Sequence, residues 1–371
     1  MIILGTPLYA IPRPWLKLKF HGVMVNAYEI ISMGRWRELR GRGLRKTLGI
    51  DDDMELWIDS GGYQFLRRGI EISVDKLARL YKEIDADYYV SLDYPPGPRD
   101  APELRSLKIA KTVSSFISLR SKLRPLAEQG RLVPVFHLST GETLRLQLAE
   151  YEPNADTAAI GGLIPHIMQK SGKGSRRKAI LFMMIVRKLW RGRLHAMGLA
   201  SAAMIPLLRY IGIESGDTQT WRHKAAYGKI IVPGIGERHV SRKRVRFGPA
   251  VFKSEKEIEI LRTYLEEART RLGVDFTDLV ESFEARALFN SMVILDVASN
   301  NHGYLGISHA FKKLYESIEL LRARPVEELE AKLDELLALQ PVEETPMVRG
   351  TVSLPAEPSA ATGVAAGVTA E

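Results

Sequence analysis

The 371-residue chain has no cysteine, which excludes disulfides and thiolate metal sites. Long apolar runs are missing too. The longest, Ala179 to Val186, has eight residues, far short of the roughly 20 that span a bilayer, so no membrane role is expected. Met1 to Tyr9 lacks the basic, apolar and small-residue order of a signal peptide, and the expectation is a cytoplasmic protein. There is no GxGxxG and no phosphate-loop motif, so nothing calls for a nucleotide cofactor. Histidines are few, and His195, His223 and His239 have no ligand spacing with carboxylates; no metal is expected.

What is present is apolar content of 45%, enough for a sizeable core, and a net charge of +9. The charge is clustered. Lys170 to Arg193 holds nine Lys or Arg and no acid, Arg35 to Lys46 holds six, and Arg238 to Arg246 holds five. One such patch reads equally well as solvated surface; three favour a polyanionic partner. Arg176, Arg177 and Lys178, with Arg242, Lys243 and Arg244, are the candidates for contacts to a nucleic-acid backbone.

Short apolar runs recur about every 20 to 45 residues, each ending in polar residues or glycine and followed by a helical pattern. They are Val23–Val25, Leu56–Ile58, Tyr88–Leu92, Leu132–Phe136, Ala158–Ile160, Leu194–Met197 and Ile211–Ile213. Seven units suggest a (β/α)₈ TIM-like barrel over residues 1–253, with Lys229–Val232 taken as the eighth strand; a doubly wound sheet shares the alternation. Residues 254–339 read as a helical C-terminal segment packing on the barrel. Residues 340–371, rich in Ala, Pro, Gly, Thr and Val with no aromatic, read as a disordered tail.

In a barrel, the residues just after the strands gather on one face. Asp59, Asp93 and Asp217 fall there. Two carboxylates on opposite sides of a sugar carbon suit retaining glycosyl transfer, one attacking and the other moving the leaving group's proton. The plainer reading of each aspartate is a helix cap or turn residue. The run Asp59-Ser60-Gly61-Gly62-Tyr63-Gln64 adds two flexible glycines and an aromatic face on which a purine could stack. His137 after its strand is either a satisfied core histidine or a donor to a base. Gly161-Gly162 is either a tight turn or an approach for a flat ligand, and Met197 is either core or the second face of a base sandwich.

Taken in order, these segments resemble the tRNA-guanine transglycosylase superfamily over roughly residues 20 to 230. Asp59 to Gln64 matches that family's Asp-Ser-Gly-Gly-aromatic-Gln run, and Val25-Asn26-Ala27-Tyr28 is similar to its Gly-Asn-Thr-Tyr. Leu92-Asp93 before Pro95-Pro96 resembles its Leu-Asp-Glu segment. Ile160-Gly161-Gly162-Leu163 and Met197-Gly198 match its Gly-Gly-Leu and Met-Gly, and His137 falls where it has glutamine. The resemblance implies Asp217 as nucleophile, Asp59 as general acid/base and Asn26 near the ribose. Asp93 would bind the N1/N2 edge of guanine, Gly162 and His137 would face its O6 and N7, and Tyr63 and Met197 would take its two faces, with Ser60 and Gly161 counted among the base-binding residues. The zinc-binding cysteines of the tRNA enzymes are absent, and Asp217-Thr218-Gln219-Thr220-Trp221-Arg222 replaces the usual Pro-Thr-Arg continuation. Both departures are more like the DNA-modifying, DpdA-type branch. The resemblance therefore implies exchange of guanine in DNA for a 7-deazaguanine base such as preQ0, without a cofactor and with possible accessory proteins that open the duplex. Other readings are the same reaction on tRNA, a non-catalytic nucleic-acid-binding paralogue subunit, and an unrelated barrel hydrolase acting on a sugar or nucleoside.

Overall fold

Nine short strands, all paired in parallel, form one sheet in the computed structural model. The model describes residues 1–34, 36–168, 175–242, 252, 254–299 and 309–338. The strands are β1 (Ile2–Gly5), β2 (Gly22–Asn26), β3 (Glu55–Asp59), β4 (Tyr88–Val90), β5 (Leu132–Val133), β6 (Val135–His137), β7 (Thr157–Gly161), β8 (Arg193–Ala196) and β9 (Ser215–Thr218). Their order is β5-β4-β3-β2-β1-β9-β8-β7-β6. The two ends of that order, β5 and β6, are consecutive in the chain with only Pro134 between them. Proline has no N–H and interrupts the ladder there, yet its carbonyl still accepts from Ala159 N at 2.8 Å. The sheet thus runs almost full circle in eight chain passes, a barrel-like arrangement of the TIM type.

Two expectations about the strands are corrected. Lys229–Val232 is not a barrel strand: it is β10, paired antiparallel with β11 (Gly236–His239) in a separate ribbon. The eighth pass is β1, which pairs with both β2 and β9. Ile211–Ile213 is not the strand before Asp217 either, because Ile211 ends the helix Ile205–Ile211. The strand is Ser-Gly-Asp-Thr, and Asp217 lies within it. Its small residues allow close packing: a Cβ on Gly216 would come within 3.1 Å of the Ala196 carbonyl and of Ala200 Cβ.

Alternation sorts side chains to the two faces of the barrel wall. Ile3, Met24, Trp57, Val90, Val133, Val135 and Ala159 form an inner cluster, with Tyr88 and Met197 packed against it. Their strand neighbours Ile2, Leu4, Val23, Val25, Leu56 and Ile58 point outward into the larger core beneath the helices. At the N-terminal ends of the strands, Arg193 clasps Glu55 with two bonds of 2.7 and 2.9 Å across the barrel. Trp57 Nε1 also donates to Glu55 at 2.9 Å, and the guanidinium lies over the rings of Trp57 and Tyr88.

The helices follow the local rules. Asn26 caps Ala27–Ser32 by accepting from Tyr28 N, and Ser73 caps Val74–Glu83 by accepting from Lys76 N. The apolar run Ala179–Val186 lies in the helix Ser175–Leu189 with every residue buried. After residue 254 come the helices Glu255–Leu272, Phe276–Glu281, Phe283–Ser299, His309–Arg322 and Val326–Ala338. Phe283–Ser299 is buried almost all round. It is bonded to what precedes it through Asn290, which accepts from Ile231 N at 2.7 Å and donates to Trp221 O at 3.1 Å. Met1–Leu339 forms one compact unit; the expected tail, 340–371, lies outside the described residues. No described helix is long and apolar enough to cross a membrane.

The Glu55–Arg193 clasp carries a test. Arg193→Leu alone strands a carboxylate inside the barrel and should cost about 3 kcal/mol in urea unfolding, whereas Arg193→Leu with Glu55→Met should recover most of it. Equal losses in the two variants would show that the pair is not what holds this end.

Candidate active site

The C-terminal ends of the strands converge on three carboxylates. β3 ends at Asp59 and turns through Ser60-Gly61-Gly62. Gly61 has φ +78°, and a Cβ there would lie 2.4 Å from Asn26 Oδ1; a Cβ on Gly62 would lie 2.1 Å from the Asp93 carbonyl oxygen. The two glycines therefore let the ends of β2, β3 and β4 close on one another. Asn26 is fixed at both ends of its amide: Oδ1 accepts from Tyr28 N at 2.9 Å and Nδ2 donates to Asp59 Oδ2 at 2.7 Å. Ser60 Oγ donates to Asp93 Oδ1 at 3.2 Å and accepts from Gly62 N at 3.3 Å.

Across the mouth, His137 closes β6 and is fully buried. Its Nε2 lies 3.3 Å from Asp93 Oδ2, yet neither ring nitrogen makes a hydrogen bond. A buried imidazole without a hydrogen bond is rare. Gly162 lies beside it: a Cβ there would come within 3.2 Å of His137 Nδ1, while one on Gly161 would come within 3.2 Å of His137 Cε1 and 3.5 Å of Met197 Sδ. His137, Gly161, Gly162 and Met197 are thus neighbours. Tyr63, on the helix Gly62–Arg67, is 56% exposed. Its ring makes no ring contact among the described residues.

Asp217 is mostly buried on β9. Its Oδ1 takes two donors, Gly198 N at 2.6 Å and, in the tautomer protonated at Nε2, His195 at 3.3 Å. His195 Nδ1 meets Ser215 Oγ at 3.1 Å, and the ring stacks on Trp57 at 4.5 Å. The described residues make no hydrogen bond to Oδ2. Sequence reasoning considered His195 only as a metal ligand and missed it here. The available signal was alternation: in Arg193-Leu194-His195-Ala196, His195 shares the inward face with Arg193. Among the described residues, no three His, Asp or Glu side chains are placed to hold a metal.

The expected basic contacts divide. Arg176, Arg177 and Arg242 are exposed residues, and Lys178 is half-buried. The Arg176 guanidinium is occupied by the Ile167 carbonyl, with bonds of 3.2 and 3.1 Å. Lys243 and Arg244 lie outside the described residues. Arg238, counted in the same patch, is buried and paired with Glu257.

Electrostatics acts on Asp59. Burial first, and then the charges of Asp93 and Asp217, push the Asp59 carboxyl up to about 8, against the pull of the Gly61 and Ser60 amides. The native state keeps this proton to about pH 8, while the unfolded chain releases it near 3.8. Stability therefore falls as pH rises between those values and is level above them. Asp59→Asn should raise the melting temperature over wild type by an amount that grows from about pH 4 to about pH 8 and then stays constant. A gain independent of pH in calorimetry would mean that Asp59 ionises normally.

No family model matches the chain. Among curated proteins, it is similar to "Uncharacterized protein 306" of Sulfolobus islandicus rod-shaped virus 1, at 25% identity over 231 residues. That match covers 61% of this chain and 66% of the viral protein.

Proposed function

We propose that the chain is a transglycosylase that exchanges guanine in DNA for a 7-deazaguanine base through a covalent aspartyl-sugar intermediate. The observation that carries this reading is the difference between two carboxylates at one barrel mouth. Asp59 is held protonated at neutral pH, as a general acid requires. Asp217 has both of its donors on Oδ1, which leaves Oδ2 to attack.

In the proposed reaction, Asp217 Oδ2 forms a bond to C1′ of the target nucleoside as the C1′–N9 bond breaks. The bond's electron pair leaves with guanine, which takes up the proton of Asp59. Guanine departs and the incoming base binds in its place. Its N9–H returns the proton to Asp59 as N9 attacks C1′ and the bond to Asp217 breaks. The glycosidic bond is conserved in the aspartyl ester, so no nucleotide cofactor is consumed. The ring nitrogens of buried His137, which make no hydrogen bond and lie beside Asp93 and Gly162, suit the polar edge of a purine. Tyr63 and Met197 would take its faces, and the base must leave its stack to reach them. DNA is preferred to tRNA on the sequence departures around Asp217 and the absent zinc cysteines.

Asp217→Ala should abolish incorporation of labelled preQ0 into DNA, by about 10⁴-fold or more, while DNA binding survives; wild-type exchange would refute the assignment. Asp59→Asn should slow exchange by about 10³-fold and let an Asp217 adduct accumulate for mass spectrometry. Wild-type exchange should decline above about pH 8, where Asp59 loses its proton. An adduct found on Asp59 instead would reverse the two roles.

His195 acts through Asp217 as a positioning residue. His195→Ala should lower kcat by about 10²-fold with KM little changed, and His195→Gln, which keeps a donor, should restore part of it. Equal activity in both variants would make the histidine packing alone.

A further inference from the structure

The Arg105 guanidinium has an Nε that is buried and bonds to nothing. It stands in the first turn of the helix Pro102–Lys122, which follows β4. Among the described residues, no carboxylate pairs with it. Asp100, within its electrostatic reach, is already bonded to Lys108 and to Gly97 N, both at 2.7 Å. Two more basic side chains lie within electrostatic reach of Arg105. His166 belongs to the helix Ile164–Met168 and is buried, with Nδ1 3.2 Å from Ser175 Oγ. Lys178 lies one turn into Ser175–Leu189 and forms no ion pair among the described residues.

In a β/α barrel, the helix that follows a strand starts on the face where the strands end. The beginnings of these three helices therefore share the rim with Asp59, Asp93 and Asp217. Like charges crowd there. Burial first, then Arg105 and Lys178, depress the His166 imidazole to about 4, and burial followed by Arg105 lowers the Lys178 ammonium. Among the described residues no carboxylate offsets these cations; an anion would relieve them.

We propose that Arg105, Lys178 and His166 form a seat for one backbone phosphate of a single-stranded nucleic acid beside the base-binding mouth. The polymer is favoured over a free phosphate on the reading, proposed above, that a base enters the barrel. A strand whose base turns inward leaves its phosphates along the rim.

The test uses the full chain and a short fluorescein-labelled single-stranded oligodeoxynucleotide, titrated between about 50 and 200 mM salt. Arg105→Gln with Lys178→Gln should weaken binding about tenfold and flatten the logarithmic salt slope by about 1.4, or 0.7 per cation removed. The control, Arg120→Gln with Arg124→Gln, removes the same charge about 20 Å or more away, in the last turn of that helix and just beyond it, and should leave the slope intact. His166 should titrate well below an ordinary histidine by NMR and move up in the Arg105/Lys178 variant or when the strand binds. Should the double variant be unstable, Lys178→Gln alone should give half the slope change. An unchanged slope, or equal losses in both doubles, overturns the seat. So does a His166 shift produced by inorganic phosphate when strand affinity is the same in variant and wild type, which would mark a free-anion site. Binding is read without chemistry, so loss of exchange in the Asp217 variant and loss of this seat are separate outcomes.

Discussion

Three carboxylates at the mouth of one barrel repel one another, and much of the local structure manages that repulsion. Asp59 lies close enough to Asp93 and Asp217 to feel both charges. Each is then given a different set of partners: the Asn26 amide for Asp59, the Ser60 hydroxyl for Asp93, and a backbone amide with a histidine for Asp217. Unequal partners leave three chemically identical side chains with different free oxygens, while burial and the charges of the other two push Asp59 alone up to about 8. An arrangement of this kind separates acid from nucleophile in glycosyl transfer.

The support comes from inside the barrel and below the mouth. The wall puts Trp57 beneath His195, and His195 beneath Asp217. At the opposite end, Glu55 and Arg193 clasp across the strands. Two residues of one strand, Arg193 and His195, thus serve opposite ends of the interior. Alternation along β8 links the stability of the closed end to the geometry of the mouth. The viral relative's name carries no activity, so the functional reading rests on this geometry and on the resemblance.

How much of the site could be read beforehand depended on how local its cause was. Asp59-Ser60-Gly61-Gly62 was legible because two adjacent glycines after an apolar strand mark a backbone that others must approach closely, and Asn26 and Asp93 are what approach. Strand β1 was not legible, since four residues with no preceding helix form no repeat unit. Strand β9 was hidden because Ser-Gly-Asp-Thr has no apolar run; its place is set by close packing against its neighbours. Lys229–Val232 misled for the opposite reason: it is apolar because Asn290 and the buried helix Phe283–Ser299 cover it, not because it lines the barrel.

The sequence by itself determined the alternation of strands and helices, the placing of Asp59, Asp93 and the glycine pairs at strand ends, and the exclusion of thiolate chemistry. These are properties of spacing and residue type within one short segment. Only the tertiary structure decided which strand closes the circle, which arginines are already paired, and that His195 reaches Asp217. It also decided that Asp59 keeps its proton. That state arises from burial and from charges 34 and 158 positions away in the chain, a sum over distances in space that sequence order does not contain.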